Sequence, residues 1–275
     1  MIDLSYPCFL HPFGAAKVTI WMNITRPYYP GREIVDEQKY DAVCCSLCKQ
    51  KTMKRALFII PAGGSGTRFG SALPKQFVSL CGEPLICRTI KAVAPFASGI
   101  IVSVSADYLS YAQELFAAYL CDVPIRCIEG GDTRFASVRN ALLAAPEEEL
   151  VAVHDAVRPL IAPDVITRLI EAADSQGASV PFLPMRDSIR MRTDHGSQAV
   201  ERSSYISVQT PQVFRSELLR KAYEQTYTPA FTDDCSVFEA AYPHREIALI
   251  EGNDENIKIT TPGDALFFTA LCQKQ

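Results

Sequence analysis

The stretch Ala56-Leu-Phe-Ile-Ile-Pro-Ala-Gly-Gly-Ser-Gly-Thr-Arg-Phe-Gly70 decides the fold of this chain. Its first five residues form a short apolar run that ends at Pro61, which predicts a buried strand. A loop follows in which four of the chain's 14 glycines fall within residues 61–70. Glycines let backbone N–H groups approach a phosphate chain closely, so we predict a phosphate-binding turn. A flexible turn between a strand and a helix is the alternative.

Strands and helices alternate on the C-terminal side of this loop. Further strands are predicted at 100–104, 124–129, 150–153 and 178–182, and helices begin near Pro84, Asp107, Asp132 or Thr133, and Pro163. This alternation predicts an α/β protein with a parallel sheet covered on both faces. Ligands bind such sheets outside the carboxyl ends of the strands. The loops after Ile60, Ile128 and Val153 should therefore carry the chemistry.

The alternation breaks at residues 184–206, which are polar and predict a hairpin arm projecting from the sheet. Beyond the arm we predict helices over 215–227 and from Thr232-Asp233-Asp234, strands over 246–251 and 256–259, and a last helix. Thr261-Pro262-Gly263-Asp264 is typical of that helix's start, with a cap, a proline and an acid in the first turn.

Composition excludes several classes of protein. Of the 275 residues, 48% are hydrophobic and 21% are charged, which is a globular composition and not a disordered one. The net charge of -4 argues against a nucleic-acid partner, and no apolar run is long enough to span a membrane. The ten cysteines come without a visible secretory signal, so we expect reduced core thiols; a zinc or redox site at Cys45-Ser-Leu-Cys48 is the alternative. We expect a cytoplasmic protein, or a plastid protein if the source carries plastids.

Residues 1–53 differ from the rest, with scattered prolines, the sole tryptophan and no sustained periodicity. We expect an N-terminal extension that is disordered or results from a start codon placed too far upstream, since Met53 directly precedes the first strand. The catalytic domain would then span 54–275.

Basic residues accompany the predicted loops. Arg68 and Lys75 follow the first glycines, and their charge suits a triphosphate. Lys258 lies within a short apolar run, where an ammonium is costly unless it reaches an anion, so we predict a phosphate contact; an edge-strand lysine that reaches solvent is the alternative. In Gly130-Gly131-Asp132-Thr-Arg-Phe-Ala-Ser137, Asp132 and Ser137 could bind a nucleoside, with an ordinary capped helix start as an equal alternative.

The third loop reads His154-Asp155-Ala-Val-Arg158-Pro159. Asp155 could orient a substrate hydroxyl or help hold a metal ion, and Arg158 could bind a phosphate. The alternative is an Asp155–Arg158 pair that closes the loop. We interpret His154 as structural and not as a general base. The chain shows no pattern of an activated nucleophile, and transfer of phosphoryl or nucleotidyl groups needs mainly positioning and charge. Residue chemistry alone therefore predicts a nucleotide-dependent transferase.

The Gly-Ser-Gly-Thr-Arg and Pro-Lys pair resembles the signature of sugar-nucleotide pyrophosphorylases and related nucleotidyltransferases. Together with the motifs at 154–159, 209–212, 232–234 and 256–262, the sequence resembles the 2-C-methyl-D-erythritol 4-phosphate cytidylyltransferase family of the non-mevalonate isoprenoid route over about residues 54–272. The resemblance implies a Rossmann-like, three-layer sandwich whose β-arm serves dimerisation. It also implies that CTP and methylerythritol phosphate give 4-diphosphocytidyl-2-C-methylerythritol and pyrophosphate, with Mg²⁺ held mainly by the CTP phosphates.

The resemblance also implies roles by motif position. The cytidine would be bound by Ala62, Gly63, Gly64, Gly66, Gly131, Asp132 and Ser137. Catalytic charge stabilisation would come from Arg68, Lys75 and Lys258. The methylerythritol phosphate would be bound by Asp155, Arg158 and Thr232, with Ser188 and Arg202 reaching from the arm into the partner's site of a homodimer.

Two alternatives stay open. Ser188 and Arg190 stand where threonine and lysine are common in the family, which puts the finer substrate contacts in question. A ribitol-5-phosphate cytidylyltransferase would share the CTP site and use a different polyol phosphate. A nucleotide-sensing protein without catalysis would be expected to lose its charge-stabilising residues, and Arg68, Lys75 and Lys258 are all present.

Overall fold

The computed structural model describes residues 54–64, 69, 73–120 and 123–273. The predicted extension over 1–53 lies outside these residues, as do the predicted site residues Gly66 and Arg68. Statements about those positions stay predictions.

The strands of the described chain fall into one large sheet and two hairpins. They are β1 Ala56–Pro61, β2 Ser79–Leu80, β3 Glu83–Pro84, β4 Ala97–Val104, β5 Ile125–Glu129, β6 Leu150–Val153, β7 Ala178–Pro184, β8 Arg190–Thr193, β9 Gly196–Ala199, β10 Ile206–Val208, β11 Gln212–Arg215 and β12 Ala248–Glu251. The helices are α1 Leu85–Val93, α2 Leu109–Tyr119, α3 Arg134–Ala144, α4 Pro163–Gln176, α5 Ser216–Ala222, α6 Asp234–Ala241 and α7 Pro262–Cys272.

The large sheet is mixed, which corrects the prediction of a purely parallel sheet. Its order is β5-β4-β1-β6-β11-β7-β12. Strand β10 pairs with a different part of β7, on the same side of β7 as β11. Strands β5, β4, β1 and β6 are parallel, whereas β11 runs antiparallel to both β6 and β7. The sequence did not predict β11, because its four residues lie directly before α5 and merge with the helical pattern.

Alternation along the buried strands creates two cores. Leu57 and Ile59 contribute to one core, and Phe58 and Ile60 to the other, as expected for a pleated strand with period two. Helices α1, α2 and α4 cover one face of the sheet, and α3, α5 and α6 cover the other. This arrangement is the three-layer α/β sandwich that the sequence predicted.

Caps set several helix ends where the sequence placed them. The Thr133 side chain accepts a hydrogen bond from the Ala136 N–H, and both α6 and α7 begin with capping boxes, at Asp233 and Thr261. Gly177 ends α4 in the left-handed region with φ 99°, a conformation that glycine adopts without strain.

Two predicted elements are wrong. Residues 256–259 are not in a strand; the Ile259 N–H donates to the Val157 carbonyl (3.0 Å), which joins this segment to the loop after β6. The helix predicted over 215–227 is shorter, because Arg215 completes β11 and α5 spans Ser216–Ala222.

The predicted arm contains a hairpin in which β8 and β9 pair antiparallel and every residue is exposed. Its role in dimerisation stays a prediction. Among the described residues, no helix combines the length and the apolar character that crossing a membrane requires.

Candidate active site

Three loops at the carboxyl ends of β1, β5 and β6 meet around one cleft of about 250 Å³. Each loop continues the hydrogen bonding of its strand: the Ala62 N–H donates to the Ser103 carbonyl (2.7 Å), Gly130 to Val104 (2.7 Å) and His154 to Ile59 (2.9 Å). The sheet thus carries all three loops to one edge, where the sequence predicted the chemistry. The predicted site residues that line the cleft are Ala62, Gly63, Gly64, Lys75, Gly131, Asp132, Ser137, Asp155 and Lys258.

The first glycine loop is fixed by a residue to which the sequence analysis assigned no role. The Gln76 amide Nε2 donates to the carbonyls of Ala62 (2.6 Å) and Gly64 (3.1 Å), and the Gln76 side chain is buried. A loop held at two carbonyls keeps its backbone in one orientation toward the cleft. Lys75, the preceding residue, lines the cleft from a short 3-10 helix, so one segment supplies both the support and the charge.

The second glycine loop is closed on itself through Ser137. The Gly131 N–H donates to the Ser137 Oγ (3.1 Å), and that hydroxyl lies 3.3 Å from the Gly131 carbonyl. A Cβ on Gly131 would overlap the Cβ of Ala136, so only glycine fits this close approach. Asp132, the next residue, is exposed at the cleft. The loop is therefore tight, with a carboxylate at its open side.

One oxygen of the Asp155 carboxylate contacts two cationic side chains. The Arg158 Nε and the Lys258 Nζ each lie 3.0 Å from its Oδ2. Burial alone would raise the pKa of Asp155, but Lys258, Arg134 and Arg158 together hold it well below its usual range. Asp155 is thus an anion throughout the physiological pH range. The Arg158 Nη1 also donates to the Asn256 carbonyl (2.7 Å), so Arg158 lies behind Asp155 and closes the loop.

His154 has a structural position. Its side chain is fully buried, its Nε2 lies 3.0 Å from the Arg158 carbonyl, and its Nδ1 lies 3.0 Å from the Thr210 Oγ1. Because a carbonyl can only accept, the ring donates from Nε2, and in the neutral ring Nδ1 then accepts from the Thr210 hydroxyl. Burial accordingly lowers the pKa of His154 to about 4. The geometry agrees with the structural interpretation of this residue.

Of the predicted substrate residues, Asp155 lines the cleft, whereas Arg158, Thr232, Ser188 and Arg202 are not among its lining residues. Thr232 is exposed just before α6. Ser188 and Arg202 are on the arm, and the Arg202 guanidinium donates to the Arg186 carbonyl. Six of the seven predicted CTP-binding residues therefore line one cleft, and the seventh, Gly66, lies outside the described residues.

Polar residues that the sequence analysis did not single out complete the surroundings. Arg134 lines the cleft beside the second glycine loop and forms an ion pair with Asp234. The buried Asn256 donates to the Gln209 Oε1 (3.1 Å) and to the Thr210 carbonyl (2.9 Å). Arg134 and Asn256 lie within the motifs that the sequence analysis quoted, but a motif does not reveal which residue a side chain contacts.

Comparison with known proteins tests the resemblance. The sequence model of the 2-C-methyl-D-erythritol 4-phosphate cytidylyltransferase family matches residues 56–273. The chain belongs to this family. It is therefore an enzyme of the nucleotidyltransferase class, a cytidylyltransferase of the non-mevalonate isoprenoid route.

Relatives support this membership across the domain. A cytidylyltransferase of this name from Porphyromonas gingivalis is 48% identical over 206 residues, which is 75% of this chain and 92% of the relative. One from Phocaeicola vulgatus is 45% identical over 208 residues, or 75% of this chain and 94% of the relative.

Solved structures of the family share the fold. The crystal structure of 2-C-methyl-D-erythritol 4-phosphate cytidylyltransferase from Thermus thermophilus is 31% identical, with a TM-score of 0.65, and covers 80% of this chain and 100% of that one. The 4-diphosphocytidyl-2C-methyl-D-erythritol synthase from Anaerococcus prevotii is 28% identical, with a TM-score of 0.69, and covers 80% and 96%.

Proposed function

We propose that this cytidylyltransferase transfers CMP from CTP to 2-C-methyl-D-erythritol 4-phosphate and releases pyrophosphate. The observation that carries the proposal is the single cleft in which two glycine loops meet Lys75, Lys258 and the Asp155 carboxylate. The relatives' shared name supplies the substrate.

The two glycine loops form the nucleotide subsite. Ala62, Gly63, Gly64, Gly131, Asp132 and Ser137 bind the cytidine of CTP from these loops, and the same role is expected for Gly66, which lies outside the described residues. The support for this assignment is the close approach at Gly131, together with Ser137 Oγ lying 3.7 Å from where a Gly63 Cβ would stand. The first and second loops are thus near enough to contact one bound nucleotide.

The transfer step is an in-line displacement at the α-phosphorus. A phosphate oxygen of the polyol substrate forms the new P–O bond, and the bond from the α-phosphorus to the β-bridging oxygen breaks, so that pyrophosphate leaves with the bonding pair. Arg68, Lys75 and Lys258 stabilise the charge that develops, a contribution that requires no covalent intermediate. The support is the position of the two lysines on the cleft.

Asp155, Arg158 and Thr232 bind the polyol phosphate. Asp155 is ionised and so accepts hydrogen bonds from hydroxyl groups, while Arg158, 3.0 Å behind it, fixes its orientation. A ribitol phosphate also presents hydroxyls and a phosphate, so ribitol-5-phosphate cytidylyltransferase is the second candidate.

Magnesium is the proposed cofactor, held mainly by the CTP phosphates. No group of three or more His, Cys, Asp or Glu side chains suited to a metal occurs among the described residues. Mg²⁺ commonly keeps several waters and binds through substrate phosphates with one or two carboxylates, which suits a cleft that offers Asp132 and Asp155. When bound, the ion would neutralise phosphate charge.

The arm hairpin is proposed to make a homodimer in which Ser188 and Arg202 reach the partner's cleft. Support comes from their exposure and from their absence among the residues that line the cleft of their own chain.

The proposal is tested by pyrophosphate release from CTP and Mg²⁺, with methylerythritol 4-phosphate and ribitol 5-phosphate in parallel. Release with the first alone is the expected result. Release with the second alone keeps the mechanism and changes the substrate. Binding of CTP with release from neither would overturn the catalytic proposal and favour a nucleotide-sensing protein.

A further inference from the structure

A charged network joins the second glycine loop to the start of α6. The Arg134 Nη2 lies 2.5 Å from the Asp234 Oδ2, and the Tyr223 hydroxyl donates to the other oxygen, Oδ1 (2.6 Å). The Asp234 side chain is fully buried, whereas that of Arg134 is 30% exposed. The aspartate is thus the fixed member of the pair, and the arginine is the member that reaches the cleft.

Aromatic packing makes the network rigid. Phe135, which follows Arg134, stacks on Tyr223 with ring centroids 4.7 Å apart and on Phe231 at 5.6 Å. Asp233, beside Asp234, accepts from the Gln212 Nε2 (2.8 Å), which ties α6 to β11. Arg134 is therefore held in place by its ion pair with Asp234 and by the packing of the next residue, Phe135.

The charge of Arg134 is directed into the cleft. It is one of the cations that lower the pKa of Asp155, which lines the same cleft, so its charge acts on that carboxylate. An arginine has five N–H donors in a planar fork, and its contact with Asp234 uses one end of that fork. A buried ion pair is a weak source of stability, so stability alone is a poor explanation for this pair.

We propose that Arg134 is a further catalytic residue, whose guanidinium contacts the phosphate oxygens where the two substrates meet, and that Asp234 is the positioning residue that holds it there. This inference rests on the proposed function. It adds a cation carried by α3 to the two lysines that line the cleft.

The test compares turnover and CTP affinity in four variants: Arg134→Gln, Arg134→Lys, Asp234→Asn and the double variant Arg134→Gln/Asp234→Asn. We expect Arg134→Gln to lower kcat about 100-fold, the typical cost of losing one donor to developing charge, while the Kd for CTP changes less than about threefold. Arg134→Lys keeps the charge without the fork and should fall between Arg134→Gln and the natural enzyme. The double variant should be no slower than the slower single variant, because both changes break one interaction.

A surface pair supplies the matched control. Arg168 and Asp164 on α4 form an exposed ion pair at 3.2 Å, and Arg168→Gln should leave kcat within about twofold. Thermal unfolding of each variant separates loss of fold from loss of chemistry. If Asp234→Asn does not fold, Tyr223→Phe replaces it. That change keeps the Asp234 carboxylate and removes the hydrogen bond that it accepts from the Tyr223 hydroxyl. We then expect kcat to fall about threefold with unchanged CTP affinity.

The outcomes are distinguishable. If the natural enzyme is active and the kcat of Arg134→Gln lies within about threefold of its kcat, this inference is overturned and the proposed function stays intact. A loss in the double variant equal to the product of the single losses also overturns it, because the two residues would then act separately. No turnover by the natural enzyme with either polyol phosphate overturns the proposed function and this inference with it.

Discussion

At the scale of single residues, the Asp155 carboxylate is where the charges of the site meet. The sequence analysis gave Asp155, Arg158 and Lys258 roles toward a substrate, with an Asp155–Arg158 pair that closes the loop as the alternative. The structure shows that both cations contact the same oxygen of Asp155. Lys258 does reach an anion, as its apolar surroundings suggested, and that anion belongs to the protein. No pattern in the sequence links residues about 100 positions apart, so the contact between Lys258 and Asp155 could not be predicted.

Lys75→Ala tests the charge stabilisation proposed for the transfer step. We expect kcat to fall about 100-fold or more, with CTP still bound, because the lysine acts on charge that grows in the transition state. Pyrophosphate release and calorimetric CTP binding are the two measurements. Lys221→Ala on α5, an exposed lysine, is the control. Unchanged turnover in Lys75→Ala would exclude this lysine from the mechanism.

His154 makes the stability of the chain depend on pH. The folded chain holds the neutral ring, with a pKa lowered to about 4, whereas the unfolded chain binds a proton below about pH 6.5. The free energy of unfolding should therefore fall by about 2 kcal/mol between about pH 7 and pH 5 on account of this residue. Asp155, whose pKa is also depressed, contributes its own loss only at more acidic pH.

Urea unfolding at a series of pH values measures the effect. His154→Gln should flatten the dependence in this window, and His244→Gln, at an exposed position, should leave it as in the natural chain. An equal slope in both variants would show that other groups cause the acid sensitivity.

At the scale of elements, periodicity predicted most of the helices and strands because each buries one face in a defined core. The misses have two physical causes. β11 has only two apolar residues, Val213 and Phe214, which is too short a run to distinguish the strand from the helix that follows it directly. Residues 256–259 do alternate, yet the Asn256 side chain bonds the 209–210 segment, and the Ile259 backbone bonds the loop after β6.

Asp264→Ala tests how the last helix supports the site. The Asp264 carboxylate accepts from the N–H groups of Thr260 (2.8 Å) and Thr261 (2.7 Å), so its loss removes one half of the capping box of α7 and leaves the Thr261 side-chain cap. We expect the free energy of unfolding to fall by about 1 to 2 kcal/mol. We also expect kcat to fall, because Thr260 lies two residues from Lys258.

Denaturant unfolding and pyrophosphate release report the two effects separately. Glu114→Ala, at an exposed position of α2, is the control and should change neither. If Asp264→Ala loses stability without any loss of turnover, the start of α7 does not position Lys258.

At the scale of the whole molecule, the cleft follows from strand order. The chain leaves β1 toward β4 and β5, and it returns to the other side of β1 at β6. A sheet with this reversal opens a crevice at the carboxyl ends of its strands. Fold class and the three loops were therefore predictable from the alternation of elements, whereas the network of Arg134 and Asp234 depends on how α3 packs beside α6.

Mixed dimers test the proposed arm contact. Arg202→Ala and Lys75→Ala should each be slow alone. Coexpression should restore about a quarter of the natural activity, because half of randomly formed dimers would contain one site with both residues intact. Sedimentation establishes the dimer itself. Coexpressed chains that stay as slow as the separate variants would mean that the arm does not complete the partner's site.

The sequence separation of Asp155 and Lys258 has a consequence for biosynthesis. The ribosome makes the chain from its N-terminus, and a domain generally folds as a unit. A nascent chain that ends before residue 252 already contains both glycine loops and Asp155, but it lacks the segment that carries Lys258. We therefore expect the charged cleft to be completed only after the segment that carries Lys258 has been synthesised, although both glycine loops are made earlier.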